Sequence, residues 1–146
     1  MWSADAVVVC ALTLLGRSAA SLPPIQFVDT PPPGVSRNAE AFVVRGEPTI
    51  FLVTSAPMFQ RARNAGERCG DRTALVRVAS DIVHEDAHVR GADEASAYAA
   101  QLLTLTALGE GPGHPEYTGV WLSRRAALKH PREVGDRIDV LAGGPR

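Results

Sequence analysis

The 146-residue chain is poor in aromatic residues, at 5%, and has only two cysteines and two methionines. Two cysteines allow one disulfide, which excludes a small protein built on a disulfide framework. Lysine is nearly missing: Lys129 stands against fourteen arginines. The formal net charge is −1, which excludes nucleic-acid binding driven by bulk positive charge. No apolar run approaches the roughly 18 residues of a membrane-crossing helix, so no stable span is expected. Hydrophobic residues make up 45% and charged residues 21%, usage that excludes wholesale disorder. The length suits one domain with short tails.

The ends of the chain differ from its middle. Ala6 to Leu15 is apolar throughout, and the small residues Gly16, Ser18, Ala19 and Ala20 follow. Ser18 and Ala20 stand where the −3 and −1 positions of an export cleavage site would be. Residues 1–20 are therefore expected to be a signal peptide, or a weak anchor if retained. Asp5 and the lack of Lys or Arg before the run depart from that pattern, and a buried N-terminal strand or helix is the alternative. Cleavage would remove Cys10 and leave Cys69 alone, giving a secreted or envelope protein without an internal disulfide. Residues 21–38 hold five of the eleven prolines and read as an extended arm with one strand at Ile25–Val28. Residues 131–146 read as a flexible tail.

Residues 39–130 carry the regular patterns. Ala41–Arg45 and Thr49–Thr54 are rich in β-branched and aromatic residues around Gly46-Glu47-Pro48, which predicts a β-hairpin. A short helix is expected at Pro57–Ala65. A longer one, capped by Asp71, is expected from Arg72 to Val89, with Leu75, Val78, Ala79, Ile82 and Val83 as its buried stripe. Gly91 stops it. Asp93 caps the next, Glu94 to Leu108, whose apolar face includes Ala95, Ala99, Leu102 and Leu103. A last helix is expected over Thr118–Lys129, with Trp121 and Leu122 on its buried face. The fold class is α+β and mainly helical, with a small antiparallel sheet packed against the long helix.

Residues 84–88 read His-Glu-Asp-Ala-His, the pattern H-E-x-x-H, inside that helix. Residues four apart on a helix lie one turn apart on nearly the same side. Both imidazoles of His84 and His88 can then reach one Zn²⁺ ion. Glu85 is about 100° further round, where its carboxylate can take a proton from a water on the metal. Random order would produce this pattern in roughly 1 of 170 chains of this composition. A catalytic zinc needs a third protein ligand and an open position. Gly91 lets the chain break sharply, and Glu94, ten residues after His84, can return to the metal. Asp93 is the alternative ligand, with a competing role as helix cap.

The run HEDAHVRGADE resembles the zincin metallopeptidases. Its spacing is similar to the metzincin pattern H-E-x-x-H-x-x-G-x-x-H/D with Glu in the last place. A metzincin methionine turn is missing, because Met1 and Met58 both precede the motif. Residues 69–113 are more similar to small bacterial metallopeptidases than to any well-known clan. The resemblance implies a zinc cofactor, a polarised water and hydrolysis of a peptide or protein substrate. It also implies a sheet whose edge strand aligns that substrate, and Thr49–Thr54 is the natural candidate.

Other residues have lesser parts. Asp81 is a candidate to orient an imidazole, and otherwise a solvated residue. Tyr98 shares a face with Glu94 and either donates to an oxyanion or packs over the site. Gln101 continues that face as a structural residue. His114 is a candidate fourth ligand in a Gly/Pro loop, and otherwise simply exposed. Tyr117 has a similar low claim, and His130 has none. Cys69 reads as a small buried residue. The competing reading is a non-catalytic exported module with a structural or degenerate zinc site, closed by His114.

Overall fold

The structure is a computed structural model that describes residues 1–130 and 140–142, the last three by their backbone. Its centre is α3 (Arg72–Val89), started by the Asp71 side chain accepting from the Ala74 amide. Such a cap contributes about 1 kcal/mol. Around α3 stand α1 (Ala4–Leu15), α2 (Pro57–Arg63), α4 (Glu94–Ala107) and a sheet, and α5 (Pro115–Lys129) packs on α4. The architecture belongs to the mainly helical α+β class.

The sheet comprises β1 (Ile25–Val28), β2 (Ala41–Val44), β3 (Ile50–Val53) and β4 (Val140–Ala142), in the order β1-β3-β2-β4. The hairpin β2–β3 pairs antiparallel, with Phe42 opposite Phe51. The rings of Phe42 and Phe51 stack at 4.9 Å. The sheet is mixed rather than wholly antiparallel, because β1 runs parallel to β3, with Ile25 opposite Ile50. The reason is topological: two reversals, one before β2 and one after it, bring β3 back to the direction of β1. This placement also corrects the expectation for Thr49–Thr54. That segment forms an interior strand, hydrogen-bonded on both sides, and has no free edge for a substrate.

Residues 4–15 form a helix, α1, that packs into the core. Val7, Val8, Cys10, Ala11 and Leu12 are buried in the cluster that includes Phe42, Ile50, Leu52, Phe59, Leu75 and Ile82. With residues 1–20 in place, Cys10 is bonded to Cys69, and Cys69 is exposed rather than buried. The same apolar residues serve an export signal or a buried helix, and composition does not separate the two. Closing a loop of 59 residues in sequence separation stabilises the fold by about 4 kcal/mol on chain-entropy grounds.

Two further expectations shift. α4 buries Ala97, Tyr98, Gln101, Leu102 and Leu105, whereas Leu103 is 74% exposed. α5 begins at Pro115, with His114 as its cap, and buries Val120 and Ala127. Trp121 and Leu122 point outward, and Arg125 lies over the Trp121 ring at 5.1 Å. Most of the tail expected at 131–146 lies outside the described residues, and Val140–Ala142 within it forms β4.

Candidate metal centre

His84 and His88 sit in the last two turns of α3, on the face turned to α4. Gly91, at φ +99°, ends the helix in a left-handed turn that only glycine takes without strain. The Ala92 amide donates back to the Ala87 carbonyl at 2.9 Å. Asp93 then caps α4 by accepting from the Ser96 amide. That bond holds its carboxyl below the ordinary value. Asp93 thus takes the capping role rather than the ligand role, and Glu94 enters the first turn of α4 aimed back at α3.

The result is a three-sided group. Glu94 Oε1 lies 2.8 Å from His84 Nε2 and 2.7 Å from His88 Nε2. His84, His88 and Glu94 each offer one ligand atom, all within 4.8 Å of one another. A metal ion can be held there. His84 is fully buried, and the Glu94 side chain is 12% exposed, so solvent reaches the group from the Glu94 side. Burial alone would raise the Glu94 carboxyl. When both imidazoles are protonated, their hydrogen bonds and positive charge outweigh it and hold the group at about 2.

The second nitrogens of both rings decide what the first can do. His88 Nδ1 is 2.9 Å from the Ala92 carbonyl. A carbonyl only accepts, so Nδ1 carries the hydrogen. For His84 the direction is set through a chain. The Ser80 hydroxyl donates to the Arg77 carbonyl at 3.0 Å, which leaves its oxygen to accept from Gln101 Nε2 at 3.1 Å. Gln101 Nε2 also points to Asp81 Oδ1 at 3.5 Å. Gln101 Oε1 therefore faces His84 Nδ1, at 3.0 Å, and accepts from it. Neutral rings in these tautomers turn two Nε2 lone pairs toward a carboxylate oxygen. Three acceptors converge, and only a cation between them, or protons on the rings, makes that arrangement favourable. Two imidazole nitrogens and a carboxylate oxygen are a donor set that can hold a metal ion.

Glu85 is fully buried on the neighbouring side of α3 and is not one of the three converging groups. Tyr98 packs its ring edge-on against His84 at 4.5 Å, and Gln101 links Asp81 to His84. His114 stands apart from the group. Its Nδ1 accepts from the Glu116 amide, and its Nε2 is 3.4 Å from Glu110. Tyr117 is half-buried against the α4–α5 cluster, and the exposed His130 ends α5. The functional parts least visible in sequence are Ser80, Gln101 and the Ala92 carbonyl. The signal for Gln101 is the spacing Glu94, Tyr98, Gln101, Leu105, a single helix stripe that mixes polar and apolar residues.

Two turns before His84, on the same face of α3, Arg77 binds Glu40 at 2.6 Å and Glu116 at 2.8 Å. It ties α3 to the start of β2 and to α5. A cleft of about 340 Å³ opens beside it, lined by Glu40, Ala56, Met58 and Arg77 among others. Compared with protein-family models, with curated proteins and with solved structures, the chain matches none.

Proposed function

We propose that the protein is a zinc-dependent hydrolase, a metallopeptidase acting on peptide or protein substrates. The observation that carries this reading is the convergence of His84 Nε2, His88 Nε2 and Glu94 Oε1 on one point, with both Nδ1 hydrogens directed away. Zinc, when bound, supplies a Lewis acid that polarises a carbonyl and acidifies a water. His84, His88 and Glu94 would hold it, and Gln101 and the Ala92 carbonyl keep the two rings in the coordinating tautomer. Glu85 is the general base in this reading. It takes a proton from the attacking water and returns it to the leaving amine.

A non-catalytic site closed by four protein ligands is the second reading. Its candidate fourth ligand was His114, and the use of that side chain as the α5 cap favours the hydrolase. The Cys10–Cys69 disulfide supports placement in an oxidising compartment, outside the cytosol. The test is Glu85→Gln. Zinc content should stay near that of the wild type while hydrolysis of an unstructured protein such as casein falls by about 10²-fold or more. Undiminished hydrolysis would remove Glu85 from the mechanism.

A further inference from the structure

Six large hydrophobic side chains are exposed among the described residues: Met1, Val9, Leu103, Trp121, Leu122 and Leu128. Three of these six lie close together on α5, while the helix turns Val120 and Ala127 inward. At about 100° per residue, Trp121, Arg125 and Leu128 share one outward stripe, and Leu122 and Lys129 stand on the stripe beside it. The charge here has one sign. From Tyr117 to Lys129 the charged residues are Arg124, Arg125 and Lys129, and from Ala95 to Leu108 on α4 there are none. Glu116, at the start of α5, is tied to Arg77. No carboxylate of the described residues pairs with Arg124, Arg125 or Lys129. Basic residues at a helix C-terminus complement its dipole, but that does not account for an indole and two leucines set among them.

We propose that the outward face of α5 docks on an anionic lipid bilayer, with Trp121, Leu122 and Leu128 as apolar anchors and Arg124, Arg125 and Lys129 as headgroup contacts. This stands apart from the hydrolase reading and goes beyond it. The charge of the face complements lipid phosphates, and its apolar side chains suit the boundary between headgroups and acyl chains. Long cationic side chains bury their stems there and keep their charge with the phosphates. Tryptophan favours that same depth. The Arg125 guanidinium lies over the Trp121 ring at 5.1 Å, so indole and charge arrive at the surface together. A bilayer needs no fixed register, which suits cations spread along one helix better than a partner that must match each of them. No described helix is long and apolar enough to cross a membrane; α5 lies in the plane of the interface in this arrangement. Three cations and three apolar side chains make the association reversible and sensitive to salt.

The experiment sediments the full chain with vesicles of phosphatidylcholine alone, and with vesicles in which about one third of the lipid is phosphatidylglycerol. The wild type should partition about a hundred-fold more strongly onto the anionic vesicles, and salt at about 1 M should abolish the difference. Arg125→Gln with Lys129→Gln should weaken anionic partition about thirty-fold, and Trp121→Ser about ten-fold. The double variant replaces exposed groups and serves if Trp121→Ser does not fold. Brominated lipid should quench the emission of the wild type and leave that of Trp121→Phe nearly unchanged, which places the indole among the acyl chains. Equal partition onto both kinds of vesicle overturns the proposal, as does anionic partition that the double variant leaves intact, or quenching that persists in Trp121→Phe. A wild type that ignores both vesicles but forms a dimer lost in Trp121→Ser would make this face a contact between copies of the chain, and would overturn the proposal too.

Discussion

The face of α3 turned to the sheet and α1 carries Leu75, Val78, Ala79 and Ile82, packed in one apolar cluster. The face turned to α4 carries Val76, Ser80, His84 and His88, and there Gln101, Glu94 and Tyr98 meet them. Both faces are buried. The first is held by close packing and tolerates any side chain of suitable size, at a cost set by the cavity left behind. The second is held by directed hydrogen bonds in which each donor has one place to go. A buried polar face of that kind is costly unless satisfied. What it contributes is a fixed orientation for two imidazoles, and the comparison separates stability from site geometry along one helix.

Ile82→Ala breaks the apolar side. It should cost about 2–5 kcal/mol of stability, read from denaturant unfolding, with zinc affinity nearly unchanged. A large loss of zinc affinity with little loss of stability would show that the two faces are not separable. Gln101→Leu breaks the polar side at similar volume. It releases His84 Nδ1–H and should weaken zinc binding roughly 10–100-fold, measured by competition with a chromophoric chelator. Wild-type affinity in Gln101→Leu would mean that the ring needs no partner to hold its tautomer.

The smallest effect is confined to acid. In metal-free protein the Glu94 carboxyl is held at about 2, against 4.5 ordinarily. A depressed carboxyl contributes stability that is present in full above pH 4.5 and is lost as pH falls toward 2. Unfolding of the chelated wild type should therefore grow easier across that window. Glu94→Gln, which has no such group, should show a flatter profile. Parallel profiles would mean that the Glu94 charge has no favourable partner in the fold.

The same contrast explains what was legible in the sequence. The apolar stripe of α3 repeats at three and four residues, and periodicity finds it. H-E-x-x-H is a spacing, so His84 and His88 fall on one side by helix geometry alone. Asp71, Gly91 and Asp93 are read from capping and turn chemistry, and with them the return of Glu94. Apolar counting misplaced the buried face of α4, because two of its inward positions, Glu94 and Gln101, are polar. Long-range partners were not legible either. The apolar run containing Cys10 suits an export signal or a core helix equally well, and the pairing of Cys10 with Cys69 appears only in the tertiary structure. β1 and β4 flank the hairpin through pairings set by the path of the whole chain, which is why Thr49–Thr54 turned out to be interior.

The central claim is that His84, His88 and Glu94 hold one metal ion with a position left for solvent. X-ray absorption at the zinc edge of the loaded protein tests it most directly. The account predicts one zinc per chain, with two nitrogen ligands near about 2.0–2.1 Å and oxygens from Glu94 and water near about 2.0–2.2 Å. A chain that retains no zinc, or a zinc shell of four protein ligands without water, would contradict it.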